Sequence, residues 1–133
     1  MAVTSTPIFA QSPVVGIATL TTPTAVTTRA NITGTTGLVV LTPVSTNGKR
    51  IDRIHVKCKA TSVATNLSIW IYNGTTSFLF DEIPITVVTA SNSNASFEAD
   101  VNFDFLVLPP TYQLFMSCTV TQDLTAFAFG GDF

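Results

Sequence analysis

Residues 47–82 read NGKRIDRIHVKCKATSVATNLSIWIYNGTTSFLFDE, and the period of their apolar positions decides the fold class. Over 54–60, Ile54, Val56, Cys58 and Ala60 alternate with His55, Lys57 and Lys59, the pattern of a strand with one dry and one wet face. Over 67–72 the alternation resumes, with Leu67, Ile69 and Ile71 opposed to Ser68, Trp70 and Tyr72. Asn73-Gly74 then supplies residues that tolerate positive φ, which predicts a hairpin. Phe78 and Phe80 carry the pattern on to Pro84, whose missing amide donor marks a strand end or a sheet edge. Three consecutive strands therefore form the centre of the molecule.

Working outward, residues 1–13 hold Pro7 and Pro13 among small polar residues around Ile8-Phe9. Such a segment stays extended and reaches about 43 Å. It reads either as an arm lying on its own domain or as one inserting Ile8 and Phe9 into a partner. Residues 14–20 read as the first strand, and the Thr-rich 21–37 as a loop or broken edge strand. The apolar run 38–41 reads as a short strand buried on both faces, and 85–88 as another short strand. Phe97, Ala99, Val101 and Phe103 alternate with Glu98, Asp100, Asn102 and Asp104, a core face backed by an acidic ladder. Pro109-Pro110 breaks the chain before two last strands over 112–120 and 124–129.

Eight or nine strands with no helical period longer than a turn predict an all-β fold. The expected form is a two-sheet antiparallel β-sandwich of jelly-roll type, with an N-terminal arm (1–13) and a single domain (14–133). An immunoglobulin-like sandwich is the alternative, since Trp70 follows Cys58 by twelve residues and Cys118 lies further on.

At 14.1 kDa the folded chain should expose about 6,700 Å² of the roughly 20,000 Å² exposed when extended, enough burial for one core. Charged residues make up only 11 % of the chain, and threonine, its commonest residue, suits both strand propensity and a wet face. Low charge and exposed β-branched side chains favour association with other chains. Five of the six basic residues, Lys49, Arg50, Arg53, Lys57 and Lys59, fall within 49–59, which predicts an electrically two-sided molecule. Arg53, His55, Lys57 and Lys59 would form an outward face that is either simply solvated or meets an acidic protein surface. Nucleic acid is disfavoured as a partner because the chain is acidic overall, with a pI near 5.0.

Cys58 and Cys118 lie on apolar sides of strand patterns and read as buried thiols, with a disulfide as the alternative; with one histidine they cannot complete a four-ligand zinc site. The N-terminus has no basic residue and no uninterrupted apolar run of signal-peptide length, and no stretch approaches the length of a membrane helix. Cytoplasmic synthesis and no membrane partner are expected. His55, flanked by Arg53 and Lys57, is a poor triad base because cationic neighbours disfavour the imidazolium. Glu98, Asp100 and Asp104, with Asn102, read as a solvated acidic face in preference to a carboxylate pair or a calcium loop. The terminal Gly130-Gly131-Asp132-Phe133 lacks the larger α/β domain in which a cyclic-dinucleotide synthase carries that string. No catalytic residue, cofactor or metal is expected. Trp70 and Tyr72 share a face, which suits a subunit contact or core position, or a sugar-stacking platform.

The run Asn47-Gly48-Lys49-Arg50-Ile51-Asp52-Arg53-Ile54, then Ile69-Trp70-Ile71-Tyr72-Asn73-Gly74, Asp81-Glu82-Ile83-Pro84-Ile85 and the closing Gly130-Gly131-Asp132-Phe133, resembles small structural proteins encoded among the head genes of tailed bacteriophages, the capsid decoration or cement proteins. The similarity covers most of the chain, including Pro7-Ile8-Phe9 and the Arg29 that precedes Gly34 and Gly37. It implies a virion protein on the capsid surface, often a homotrimer, that contacts the major capsid protein where capsomers meet. The basic Lys57 and Lys59 strand and the Thr-rich second segment depart from the pattern and leave the contact surface open. Candidate shell or subunit contacts are Ile8, Phe9, Arg29, Arg53, Lys57, Lys59, Trp70 and Tyr72. The alternative is a tail or tail-tip module binding a host receptor or carbohydrate through Trp70 and Tyr72.

Overall fold

The structure, a computed structural model, describes residues 12–20, 28–120 and 123–133, with the side chain of Phe105 left out. Among these residues nine strands follow one another: β1 (Ser12–Leu20), β2 (Ile32–Thr33), β3 (Val39–Val40), β4 (Lys49–Cys58), β5 (Thr65–Tyr72), β6 (Thr76–Ile85), β7 (Glu98–Leu108), β8 (Gln113–Ser117) and β9 (Leu124–Asp132). Sheet A has the order β1-β9-β4-β7 and sheet B the order β2-β6-β5-β8-β3, and all pairings are antiparallel. The molecule is an all-β two-sheet sandwich. Its order, β1-β9-β4-β7 opposite β3-β8-β5-β6 with β2 added at an edge, is compatible with the two Greek keys of a jelly roll. Ile8 and Phe9 lie outside the described residues. Ser12 and Pro13, read as the end of the arm, are the first residues of β1, and proline is tolerated there because β1 is an edge strand.

Strand β4 is held on both sides, by β7 and by β9. Its register shifts against both neighbours between Ile51 and Arg53: against β9, Asp52 is an extra residue that reverses the facing of everything after it, whereas against β7 the extra residues are in β7, where 103–105 oppose Asp52. Lys49 and Ile51 point to the core before the shift, and Ile54, Val56 and Cys58 after it. The spacing of three between Ile51 and Ile54, inside a period of two, is the sequence trace of that bulge. The core packs Ile51, Ile54, Val56, Leu108 and Leu124 of sheet A against Leu67, Ile69, Ile83, Ile85, Leu114 and Met116 of sheet B. Each such side chain contributes about 1.5–3 kcal/mol on burial.

The central hairpin forms as the sequence predicts. The Asn73 carboxamide oxygen accepts the amides of Thr75 at 3.0 Å and Thr76 at 2.8 Å, and Gly74 takes φ 99°, an Asx-type turn that few other residue pairs would close. In β6, Phe80 is an extra residue between the Ile69↔Asp81 and Trp70↔Leu79 pairs. Beyond Ser77 no strand among the described residues pairs with the other side of β6, because β2 covers only Thr76 and Ser77. Pro84 therefore occupies a free sheet edge and leaves no donor missing from a ladder.

Two expected strands change. The run 38–41 is not buried on both faces: only Val39 and Val40 pair, and Val40 is exposed on the outer face opposite Phe115. Residues 85–88 are no separate strand. Ile85 closes β6, after which the Ser62 hydroxyl donates to the Thr86 carbonyl and accepts the Val88 amide at 2.8 Å, drawing the chain off the sheet. Cys58 and Cys118 are buried thiols, and burial, with a smaller push from Cys118, holds the Cys58 thiol above its ordinary pKa. Trp70 sits on the outer face of sheet B, on the opposite side from core residues Ile69 and Ile71, so the immunoglobulin arrangement of a core tryptophan is not present.

The bulge works only if β9 comes close to β4. A Cβ on Gly130 would stand 1.8 Å from the Arg50 carbonyl oxygen, and that atom is backbone. Gly74 has nothing within 4 Å of a built Cβ and carries only its positive φ. Gly130→Ala should therefore lower the unfolding free energy by about 3 kcal/mol, and Gly74→Ala by about 1 kcal/mol. Urea melts of the two variants test the ranking.

Candidate functional site: the outer face of sheet A

The outer face of sheet A is built in three cross-strand rows. Val15, Phe129, Arg53 and Asn102 stand side by side, as do Ile17, Phe127, His55 and Asp100, and then Thr19, Thr125, Lys57 and Glu98. Strands β1 and β9 thus supply an apolar half and β4 and β7 a charged half. Val15 is 52 % exposed and Ile17 61 %. The Phe127 and Phe129 rings stack at 6.3 Å. The Arg53 guanidinium lies 4.9 Å from the Phe129 centroid, a cation–π contact worth about 0.5–1 kcal/mol at an exposed site. His55 is tilted against Phe127 at 6.1 Å. These contacts join the two halves into one continuous surface, bordered by the free edge of β1.

The two-sided charge distribution expected from the sequence does not exist. β7 runs antiparallel beside β4, so the basic ladder meets the acidic ladder residue by residue. Lys57 Nζ lies 3.5 Å from Glu98 Oε2, His55 Nδ1 2.8 Å from Asp100 Oδ1, and Arg53 Nε 3.8 Å from the same oxygen. Lys59 pairs with Asp123 at 3.8 Å and Arg50 with Asp52 at 2.8 Å. Glu98 and Asp100 are therefore occupied by cations of their own chain. Among the described residues no group of three or more His, Cys, Asp or Glu side chains is placed to hold a metal ion.

Lys49 departs from its neighbours. The bulge turns it inward, its side chain is 0 % exposed, and its ammonium donates to Asp132 Oδ1 at 3.0 Å. Close by, Asn47 Nδ2 donates to the Phe133 carbonyl at 3.3 Å and the Phe133 amide donates to the Gly48 carbonyl at 3.1 Å. Lys49 thus belongs to a clamp on the end of β9, not to the outward basic face.

The other candidates lie on sheet B. Arg29 forks onto Glu82, with Nε 2.6 Å from Oε1 and a second bond of 3.4 Å to Oε2. The hydrogen bond and the charge of Glu82 both hold the guanidinium pKa above its ordinary value. This pair brings Thr28 and Arg29 beside Ser68, bounding a polar hollow of about 210 Å³ with Thr65, Asn66 and Thr119. Trp70 is 0 % exposed and donates its indole N–H to Ser117 Oγ at 2.9 Å. Its burial fits the core side of its reading and leaves no exposed ring face for a sugar or a subunit. Tyr72 is half-buried, edge-on to Phe115 at 5.6 Å, with its hydroxyl donating to the Gly74 carbonyl at 2.8 Å.

The structure thus brings Arg53 and Lys57 together on one face and places Arg29, Trp70 and Tyr72 elsewhere. It adds Val15, Ile17, Phe127 and Phe129, which sequence reasoning missed. Their signal lay in the small–large alternation Ala126, Phe127, Ala128, Phe129. The reflex is to bury the phenylalanines, yet the alanines are the buried positions, at 0 % exposure. No protein-family model, curated protein or solved structure matches the chain.

Removing one member of the Lys49 and Asp132 pair should cost more than replacing the cation by an apolar isostere. Asp132→Asn strands a buried ammonium and should lower stability by about 2–3 kcal/mol, whereas Lys49→Met should fall within about 1 kcal/mol of the parent. Denaturant melts at neutral pH compare them.

Proposed function

We propose that this chain is a structural virion protein, a capsid decoration or cement protein that binds the outside of a tailed-phage head, self-associates as a homotrimer and reinforces the shell. The observation that supports an assembly role is the apolar half of sheet A, where exposed Val15 and Ile17 and half-buried Phe127 and Phe129 lie in register beside a charge ladder that satisfies itself. Such a face lowers its free energy by meeting another protein surface. The virion setting and the major capsid protein as partner rest on the resemblance of the 47–54, 69–74, 81–85 and 130–133 segments to cement proteins. The tail or receptor-binding reading loses its main support, because the aromatic platform it needs would have to use the fully buried Trp70.

In this reading sheet A serves self-association, and Ile8 and Phe9 remain candidates for the shell. Charge steering by Arg53, Lys57 and Lys59 carries less weight, since each is already beside a carboxylate. Phe127→Ser with Phe129→Ser should convert the trimer to a monomer in sedimentation while the β-type circular dichroism survives. Ile8→Ser with Phe9→Ser should leave the trimer and weaken binding to shells lacking the protein, by up to about 3–6 kcal/mol if both side chains are buried there. A wild-type chain that is monomeric at tens of micromolar and ignores such shells sinks the proposal.

A further inference from the structure

Each of the six Lys and Arg side chains has its own carboxylate at 3.8 Å or less, which engages six of the eight acids. The two carboxylates left over are Asp81 and Asp104, and the net charge of −2 is in effect theirs. Asp81 lies on β6 of sheet B, opposite Ile69, and Asp104 is exposed on β7 of sheet A, the two strands that border one side of the sandwich. Asp81 follows Phe80 and Asp104 follows Phe103, and these two rings meet across the seam between the sheets at 5.7 Å. The extra residue in β6 is Phe80, so the bulge places its ring there.

Among the described residues this seam is apolar and uncovered. Phe78 is 39 % exposed and Phe80 41 %. Among the described residues β7 has no strand neighbour on its outer side and β6 none beyond Ser77. A hollow of about 420 Å³, lined by Arg29, Leu79, Phe80, Asp81 and Glu82, opens beside Phe80. Arg29 borders it, but its guanidinium is already forked onto Glu82, and the Asp81 carboxylate keeps only the Glu82 amide, at 2.8 Å.

We infer that the seam between β6 and β7 docks a short segment of a different protein that carries Lys or Arg on either side of an apolar side chain. The apolar residue would cover Phe80 and Phe103, and the cations would meet Asp81 and Asp104. Charge complementarity favours this occupant over a second copy, which has no uncommitted Lys or Arg to give: all six are paired within their own chain, and the residues outside the described set include neither type. The inference does not depend on the virion setting. It also reverses the expectation of a basic contact face, since the charge this molecule has left to offer is negative.

The test uses the full chain and a labelled, end-blocked peptide, Lys-Val-Lys-Phe-Lys-Val-Lys, with a second peptide carrying Glu in place of every Lys. The cationic peptide should bind saturably in fluorescence anisotropy and weaken as salt rises, and the anionic one should not bind. Asp81→Asn with Asp104→Asn, which preserves shape and the acceptor for the Glu82 amide, should weaken the cationic peptide by about fivefold to tenfold. Amide shift perturbations in the unmodified chain should centre on residues 78–82 and 103–104, a readout that survives even if the variant folds poorly. Equal binding by parent and folded variant, perturbations centred elsewhere, or no binding of the cationic peptide would overturn the inference. So would self-association of the parent that the Asp81 and Asp104 changes abolish, since a second copy would then be the occupant.

Discussion

The pairing of β4 with β9, in which β4 has one residue too many at Asp52, sets the facing of the charged surface. Side chains on a strand alternate strictly, so a single extra residue exchanges the faces of everything beyond it. Without the bulge, Lys49 and Ile51 would share a face with Arg53, His55 and Lys57, and the strand could satisfy the core at one end only. With it, Ile51 and Ile54 both enter the core, and Lys49 is turned in where Asp132 can reach it. The glycine at 130 makes this possible, because the β9 backbone lies against the Arg50 carbonyl with no room for a Cβ. One backbone irregularity and one missing side chain thus set both the packing of sheet A and the placement of its charges.

The consequence for the surface is electrical quiet. Opposite charges in adjacent strands sit about one strand spacing apart, near 4.8 Å, which is shorter than the Debye length of about 8 Å at physiological salt. Their fields cancel before reaching a partner. Each exposed pair contributes well under about 1 kcal/mol to stability, so the ladder matters less for holding the fold than for the field it removes. If this face associates as proposed, what remains to drive it is the apolar half, and burial there is not directional by itself. The polar ladder beside it supplies direction, because a misplaced partner would desolvate Arg53, His55 and Lys57 without replacing their partners.

The strands were legible because period two needs only local information: β4, β5, β7 and the hairpin at Asn73-Gly74 fall where the alternation and turn residues put them. Spatial neighbours were not legible. Lys57 and Glu98 stand forty-one residues apart, and nothing in either strand alone says that they are adjacent, so two matched ladders read as two opposed faces. Trp70 was placed on the correct side of its strand, but its burial depends on what lies over sheet B, which the period of β5 does not encode. Asp52 left a trace in the three-residue step between Ile51 and Ile54, but that step reads as a strand start unless β9 is known to continue alongside. For Phe127 and Phe129 the alternation was plain and its sense was not, because hydrophobicity favours the larger residue inside.

That last inversion extends to the whole molecule. The buried core cluster is aliphatic throughout, made of Ile, Leu, Val, Met, Ala and Cys, and no aromatic side chain belongs to its fully buried members. Several rings lie toward the periphery, Phe127 and Phe129 on the face of sheet A and Phe78 and Phe80 at the seam, while Phe97, Phe103 and Tyr112 pack against the core and Trp70 and Phe115 are buried on the outer face of sheet B. Small buried residues such as Ala18, Ala126 and Ala128 let the sheets fill their interior without rings. Aromatic side chains each carry about 150–250 Å² of buriable surface. A fold that closes its most buried core on aliphatic residues leaves part of that area at its periphery, at the outer half of sheet A and at Phe78 and Phe80 in the β6 and β7 seam. A partner of the kind proposed above would bury the most apolar surface at these two places.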